Sequence, residues 1–295
     1  MTVQIDKNDF TQRFVFDRLD ARGCYVRLHD TLEGIQATHH YPDHLAETLN
    51  EFSLAAVLLR DSIKVAGSVT IQLRTPGAIS LIMADCMADS KVRAISEYRS
   101  DQLAADSTLA LNALGKDAVL AITITPLEGE RYQSIVPIER ATLSECLEDY
   151  FQRSEQLPTL FSLYASRQAG VGIAIHALPN QFEESTQANK DSIERLAMLL
   201  KTLESDEALN TDSELLLSRL FHQESCRLFD QKPVGFGCVC SREKSLDALR
   251  SLGPGQVSEL IIEQQAEGED KLIVDCHFCF QRYQFEFDQL QTLFD

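Results

Sequence analysis

CVCSREKSLDALRSLGPGQVSELIIEQQAEGEDKLIVDCHFC, residues 238–279, decides how this chain is read. Cys238 and Cys240 form one close pair, and after 35 intervening residues Cys276 and Cys279 form a second. Two close cysteine pairs separated by a few tens of residues have the spacing of a zinc site. Zn²⁺ takes four ligands in a tetrahedron, with sulfur at about 2.3 Å. One pair fills an edge of that tetrahedron, and the second, brought back by the intervening segment, fills the opposite edge. The expectation is one tetrahedral, four-cysteine Zn²⁺ site per chain in the reduced form, held by Cys238, Cys240, Cys276 and Cys279. Four unrelated core cysteines would not fall into two tight pairs. His277 could compete as a ligand, but its adjacency to Cys276 predicts a ring that points away. A site closed by four thiolates leaves no position for water or substrate, so it reads as structural rather than hydrolytic. The thiolate is also the oxidisable form of cysteine. Oxidation to disulfides would remove the ligands, and ligation of structural zinc, about 10–16 kcal/mol, is folding energy. Residues 231–295 number only 65, too few to be very stable without a staple. Oxidation there would act as an unfolding switch.

The other four cysteines, Cys24, Cys86, Cys146 and Cys226, are scattered singly and read as small packing residues. The whole chain has 295 residues, with 27 Lys and Arg against 45 Asp and Glu, a formal charge of −18. That charge makes it a poor partner for nucleic acid or an anionic membrane. The longest apolar runs, residues 54–59 and 78–84, fall far short of the roughly 18 residues that span a bilayer. The opening MTVQIDKNDF has no apolar core of a secretory signal, so a cytoplasmic location is expected. Cytoplasmic cysteines stay reduced as a rule, which favours metal binding or redox chemistry over a disulfide framework. No phosphate loop, H-E-x-x-H or other catalytic constellation is present, so the chain is not expected to be an enzyme.

Residues 1–178 alternate helix and strand signals. Residues 42–60 carry Leu45, Leu49, Phe52, Ala56 and Leu59 at helical spacing. Val69, Ile71 and Leu73 alternate with polar neighbours, and Thr75-Pro76-Gly77 turns the chain into a second strand over 78–84. Residues 119–125 with 131–138, and 160–165 with 170–177, read as two more antiparallel pairs. Thr142 and Glu145 make a capping box at the start of a helix running to about residue 155. Antiparallel pairs with helices between them give an α+β core domain over 1–178. Residues 179–190 read as a loop. Amphipathic helices follow, the first capped by Asp191 and the second opened by a Thr211–Glu214 capping box, so 179–230 is expected to be a helical linker. Residues 231–295 make the small zinc-binding domain, with helices over 241–252 and 255–263 and a strand over 271–275. Tyr283, Phe285 and Phe287 alternate as a closing strand. The linker has eleven acids and five bases, net −6, and the zinc domain eleven acids and six bases, net −5. A nucleic-acid-binding ribbon would carry a basic patch.

On FGCVCSREKSLDAL (residues 236–249), Cys276-His277-Phe278-Cys279, LEDYFQRSEQLPT (147–159), GERYQSIV (129–136) and VTIQLRTPG (69–77), the chain resembles the redox-regulated 33-kDa heat-shock chaperonins over nearly its whole length. The resemblance implies an ATP-independent holdase, inactive when reduced and zinc-bound. Peroxide or hypochlorous acid with unfolding conditions would oxidise the four cysteines, joining Cys238 to Cys240 and Cys276 to Cys279, and release zinc. The zinc domain and linker would then unfold, and the activated protein, a homodimer, would bind unfolding client proteins. Two features depart from the family pattern: a longer gap between the pairs, with QQAEGED (264–270) as the extra stretch, and Phe280 where a small or polar residue is commoner. Two other classes compete. A constitutive zinc-stabilised protein-binding module would lose binding on chelation, and a thiol-disulfide oxidoreductase would turn over disulfides.

Overall fold

Strand VTIQLR buries alternate residues as its pattern predicts, and from it the larger unit can be built outward. A computed structural model describes residues 9–63, 66–103, 109–154, 158–179 and 186–294. The chain divides into two compact units, Met1–Gly237 and Cys238–Asp295. The first unit contains, in order, β1 (Phe10–Phe16), β2 (Ala21–Leu28), α1 (Asp30–Ala37), α2 (Asp43–Ser62), β3 (Gly67–Arg74), β4 (Ile79–Cys86), β5 (Lys91–Tyr98), β6 (Val119–Pro126) and β7 (Tyr132–Val136). It continues with α3 (Leu143–Ser154), β8 (Thr159–Ala165), β9 (Gly170–Ala177), α4 (Thr186–Leu200), α5 (Ser205–Asn210), α6 (Ser213–Leu220), β10 (Cys226–Pro233) and β11 (Gly235–Phe236). Among the described residues, one sheet runs β10-β1-β2-β9-β8 and the other β11-β5-β4-β3-β6-β7. The pairings are antiparallel except β11 with β5. The α+β class is as the sequence predicts.

Helix α2 lies between the two sheets. Residues 52–59 are buried all round, the pattern of a helix with no solvent face. Leu45, Leu49, Phe52 and Leu58 share one core with Val26, Leu28 and Phe161 of one sheet and Val69, Ile71, Ile82 and Val92 of the other. The opposite face of the five-stranded sheet carries Phe10, Phe14, Phe16, Tyr25, Ile173 and Ile175. Leu196, Leu200 and Leu203 from α4 and after it, and Leu216, Leu217 and Phe221 from α6 and after it, cover this face. Each such fully buried side chain contributes about 1.5–3 kcal/mol. Gly23 is required here, because a Cβ at that position would stand 2.1 Å from the Phe14 ring.

Polar tethers fix the covering helices. Arg27, buried on β2, donates to Tyr25 Oη at 3.0 Å and to the carbonyls of Leu209 at 3.3 Å, Ala208 at 3.4 Å and Thr211. Tyr164 Oη donates to Leu203 O at 3.1 Å, and Ser213 Oγ to Gln12 Oε1 at 3.0 Å. Arg195 donates to both carboxylate oxygens of Glu224.

Several local expectations change. Helix α4 starts at Thr186, so Asp191 lies inside it rather than capping it, and part of the expected loop is helical; residues 180–185 of that loop lie outside the described residues. Helix α6 is capped by Asp212, whose side chain accepts from Glu214 N and Leu215 N; Thr211 is one residue too early because both types can cap and Asp212 reaches N2 and N3. The Thr142–Glu145 box is present, with Glu145 N donating to Thr142 Oγ1 and Thr142 N to Glu145 Oε2, both at 3.3 Å. After α6 the chain is not helical: β10 pairs with β1 through Phe16↔Cys226 and Phe10↔Pro233.

His176 on β9 sits between Ser62 Oγ, 2.8 Å from Nε2, and Thr159 Oγ1, 3.1 Å from Nδ1. Burial and then the Arg22 charge push its pKa down to about 4. The unfolded ring titrates near about 6.5. As pH falls from that value toward the folded one, the unfolded chain takes a proton that the folded chain refuses, so stability drops across the interval and levels off below it. Glu51 acts in the opposite sense. Burial raises its carboxyl to about 7, so its contribution is whole below the unfolded value and is lost as pH rises to the folded one. The two windows overlap, so the His176 part is read by difference. His176→Gln should lose less urea stability than the parent on going from pH 7 to about pH 4.5. Equal losses in the two proteins would refute a neutral buried His176.

Candidate metal centre

The second unit, Cys238–Asp295, contains α7 (Arg242–Leu252), α8 (Pro254–Ala266), β12 (Lys271–Asp275), β13 (Arg282–Glu286) and α9 (Phe287–Gln291). Strands β12 and β13 pair antiparallel from Lys271↔Glu286 to Asp275↔Arg282. Both strands and α7–α8 follow the sequence reading. Phe287, expected to continue the strand, opens α9 instead. The apolar core is small: Leu249, Val257, Leu272, Phe285 and Leu290 are its buried members. A core of this size needs a staple.

Each cysteine pair is held by a local device. Cys238-Val239-Cys240 leads directly into α7, whose N-cap Ser241 accepts from Lys244 N at 3.2 Å. Lys244 Nζ also returns to Val239 O at 2.8 Å, which fixes the loop between the two sulfurs. Cys276 and Cys279 lie in the turn between β12 and β13. Cys276 N donates to Gln281 O at 3.0 Å, and Phe280 N to Cys276 O at 2.8 Å. Below the turn, Arg282 grips both carboxylate oxygens of Asp275 at 2.9 and 2.8 Å. Tyr283, the next residue on β13, donates its hydroxyl to Cys240 Sγ at 3.2 Å.

The four sulfurs meet. Cys238 Sγ is 3.6 Å from Cys276 Sγ, and Cys240 Sγ is 3.5 Å from Cys279 Sγ. All four lie within 4.8 Å of one another, and His277 contributes no atom to the cluster. Zinc–sulfur bonds of about 2.3 Å require tetrahedral edges of about 3.8 Å, so the set fits the ion. No disulfide joins any of the eight cysteines. Burial, and then the neighbouring thiols, push Cys279 up to about 12 and raise Cys276. Four adjacent thiolates need a cation between them, and a bound divalent ion supplies that charge and deprotonates coordinating thiols outright. Elsewhere, burial raises Cys86 and Cys226 to about 12 and lifts Cys24 and Cys146, so these four remain thiols.

Phe280 has φ +53°. For a bulky side chain the left-handed region costs about 1–2 kcal/mol, and Phe280 stays 52% exposed, with little burial to offset it. The departure visible in the sequence is therefore a strained corner of the metal turn. Phe280→Gly should raise the melting midpoint of the metal-loaded second unit by a few degrees, reflecting about 1 kcal/mol. Calorimetry of the full chain checks this, and an unchanged or lower midpoint would refute stored strain at this corner.

The sequence locates the four sulfurs but not their supports. Tyr283 is visible only as one member of an alternating strand, and Lys244 and Arg242 only as helix charges. Arg242 stacks its guanidinium 4.3 Å from the Phe285 ring centre and donates to Gln284 O and Gln289 Oε1.

Comparison with known proteins gives one answer. A family model described as Hsp33 protein matches residues 9–286. The 33 kDa chaperonin of Ectopseudomonas mendocina is 41% identical over 287 residues, covering 97% of this chain and 95% of that protein. The 33 kDa chaperonin of Azotobacter vinelandii is 40% identical over 286 residues, covering 97% and 94%. Among solved structures, the 33 kDa chaperonin of Thermotoga maritima superposes with a TM-score of 0.79 at 22% identity, covering 98% of each chain. That likeness is one of fold.

Proposed function

The chain belongs to the Hsp33 family, and from that premise we propose that it is a redox-regulated, ATP-independent holdase chaperone. The observation that carries the redox part is the meeting of Cys238, Cys240, Cys276 and Cys279 in a unit whose buried core, among the described residues, is five side chains. Zinc, when bound, would offset two of the four thiolate charges and cross-link α7's start to the β12–β13 turn. In that reduced state the protein is silent. Oxidation takes two electrons from each pair. Cys238 with Cys240, and Cys276 with Cys279, each form one S–S bond; for each bond one peroxide takes the two electrons, together with two protons from solvent, and becomes two waters. The sulfurs then lack the charge that ligation needs, and the unit loses its staple.

Residues 1–178 serve as the core, 179–230 as the linker that opens, and 231–295 as the switch. Opening uncovers the apolar face formed by Phe10, Phe14, Phe16, Tyr25, Ile173 and Ile175 and frees the leucines that cover it. Unfolding clients bind there, and the activated form is a homodimer. The protein works in the cytoplasm without catalytic turnover, and its −18 charge keeps it off nucleic acid and anionic membranes. Among the described residues no helix is long and apolar enough to cross a membrane.

The test is a single sample followed for zinc, free thiols and suppression of client aggregation during treatment with peroxide and mild heat. The three should change together, with one zinc lost per four thiols. Aggregation suppression at full strength before oxidant, abolished by a chelator, would instead identify a constitutive zinc-stabilised binding module. The linker and switch hold eleven of the eighteen net negative charges. Their self-repulsion favours opening, so raising salt to about 1 M, where the Debye length is about 3 Å, should slow oxidative activation. Faster activation in high salt would exclude this electrostatic bias.

A further inference from the structure

Tyr283 reaches the cysteine cluster from the strand opposite α7. Its backbone belongs to β13, paired with Val274 of β12, and its hydroxyl donates to Cys240 Sγ at 3.2 Å. Cys240 Sγ also lies 3.5 Å from Cys279 Sγ, across the site. One phenol therefore links the β12–β13 hairpin to a sulfur that the α7 side of the unit supplies. Lys244 and Ser241 hold the backbone on either side of Cys240, at Val239 O and at the helix cap, but the Tyr283 hydroxyl acts on the sulfur itself.

We propose that Tyr283 is a positioning residue of the redox switch, holding Cys240 in place and damping its sulfur by an O–H···S hydrogen bond. This rests on the zinc-thiolate reading of the four cysteines. A thiolate ligand carries its charge in sulfur lone pairs. A donor on one of them draws charge away from the sulfur, which makes it a weaker nucleophile toward oxidant. The same bond fixes the lone pair that faces the ion, and outer partners of this kind hold ligands in their bound geometry. The two effects act together against opening: the sulfur is slower to react and slower to leave. Tyr283 is no catalytic residue, since its hydroxyl touches a ligand and not the oxidant.

The full-length, zinc-loaded, reduced chain provides the test, with Tyr283→Phe keeping the ring and losing only the hydroxyl. Transfer of zinc to a colorimetric chelator should become about tenfold faster, the lower end of what loss of an outer partner causes. In the Co²⁺-loaded protein, the sulfur-to-metal charge-transfer band should move to lower energy, because an undamped sulfur gives up its electron more easily. A packing role for the ring would move neither. Monofluorotyrosine placed at position 283, a stronger donor of nearly the same shape, should shift both readouts the opposite way at a pH where its phenol stays protonated. If chelator transfer and the charge-transfer band match the parent in both variants, Tyr283 does not act on Cys240 and the proposal is overturned. If instead the parent binds no zinc at one per chain, or binds it equally well after all four cysteines are replaced by serine, the zinc-thiolate reading itself fails.

Discussion

Cys238→Ser/Cys276→Ser is expected to abolish zinc binding and leave residues 238–295 unfolded in the reduced protein at 25 °C. The two substitutions take one sulfur from each pair, and the two sulfurs stand 3.6 Å apart across the site. What remains is a pair of thiols from opposite sides, too few to hold the ion. Ligation of structural zinc is worth about 10–16 kcal/mol, and the apolar core left behind is Leu249, Val257, Leu272, Phe285 and Leu290 with their partly buried neighbours. A core of that size does not hold a unit of some sixty residues together without a staple. The variant should bind no zinc by elemental analysis and show no cooperative melt for this unit, while Met1–Gly237 retains its own transition. Under the proposed function it should also suppress client aggregation without oxidant and gain nothing from peroxide, since neither implied disulfide can form. Zinc retained at one per chain, or activity that still waits for peroxide, would rule out the four-sulfur switch.

The legible and illegible parts of this molecule separate by sequence distance and by exposure. The cysteines stood out because metal ligation needs an unusual residue in a constrained spacing, and packing cannot imitate that. The β3–β4 and β8–β9 hairpins were legible because their strands lie close in sequence and their turns carry the signals. Strands β1 and β2 carry no such signal. Both faces of β2 are covered, by α2 on one side and the α4–α6 segment on the other, so ARGCYVRL is buried almost throughout and shows no alternation. Strand β10 reads as surface, because most of its side chains are exposed; its place beside β1 is set by backbone pairing between residues more than 200 positions apart, which leaves no periodic trace. Tyr283 was illegible for the same reason, since its partner sulfur is 43 positions away. Phe280 shows the reverse case. Its oddity was visible as a residue type, but only the backbone angle shows why it matters.

Arg27→Leu is expected to loosen the α4–α6 segment while leaving the metal centre loaded. Arg27 is 6% exposed, and its guanidinium gathers the Leu209, Ala208 and Thr211 carbonyls at the end of α5. Ala208 and Leu209 lie in the last turn of α5 and Thr211 is its extended C-cap, so a cation there answers both the hydrogen bonding of the terminal carbonyls and the helix dipole. Leucine fills much of the same volume but donates nothing. Each buried carbonyl left unpaired costs about 1–3 kcal/mol, and three together set an expected loss of about 3–5 kcal/mol, allowing for partial rehydration. The penalty falls on the covering segment, because β2 itself keeps its pairing to β1 and β9. Amide exchange over residues 205–221 should therefore quicken by at least about a hundredfold, with exchange in β2 and β9 much less affected. Cys238–Asp295 is a separate compact unit, so zinc should remain at one per chain. If the uncovered sheet face is what clients bind, this reduced, zinc-loaded variant will suppress aggregation without any oxidant. Fast exchange with zinc retained and no suppression would place client binding elsewhere than on this face; unchanged exchange would mean that apolar packing by Leu196, Leu200, Leu216, Leu217 and Phe221 holds the segment without the Arg27 tether.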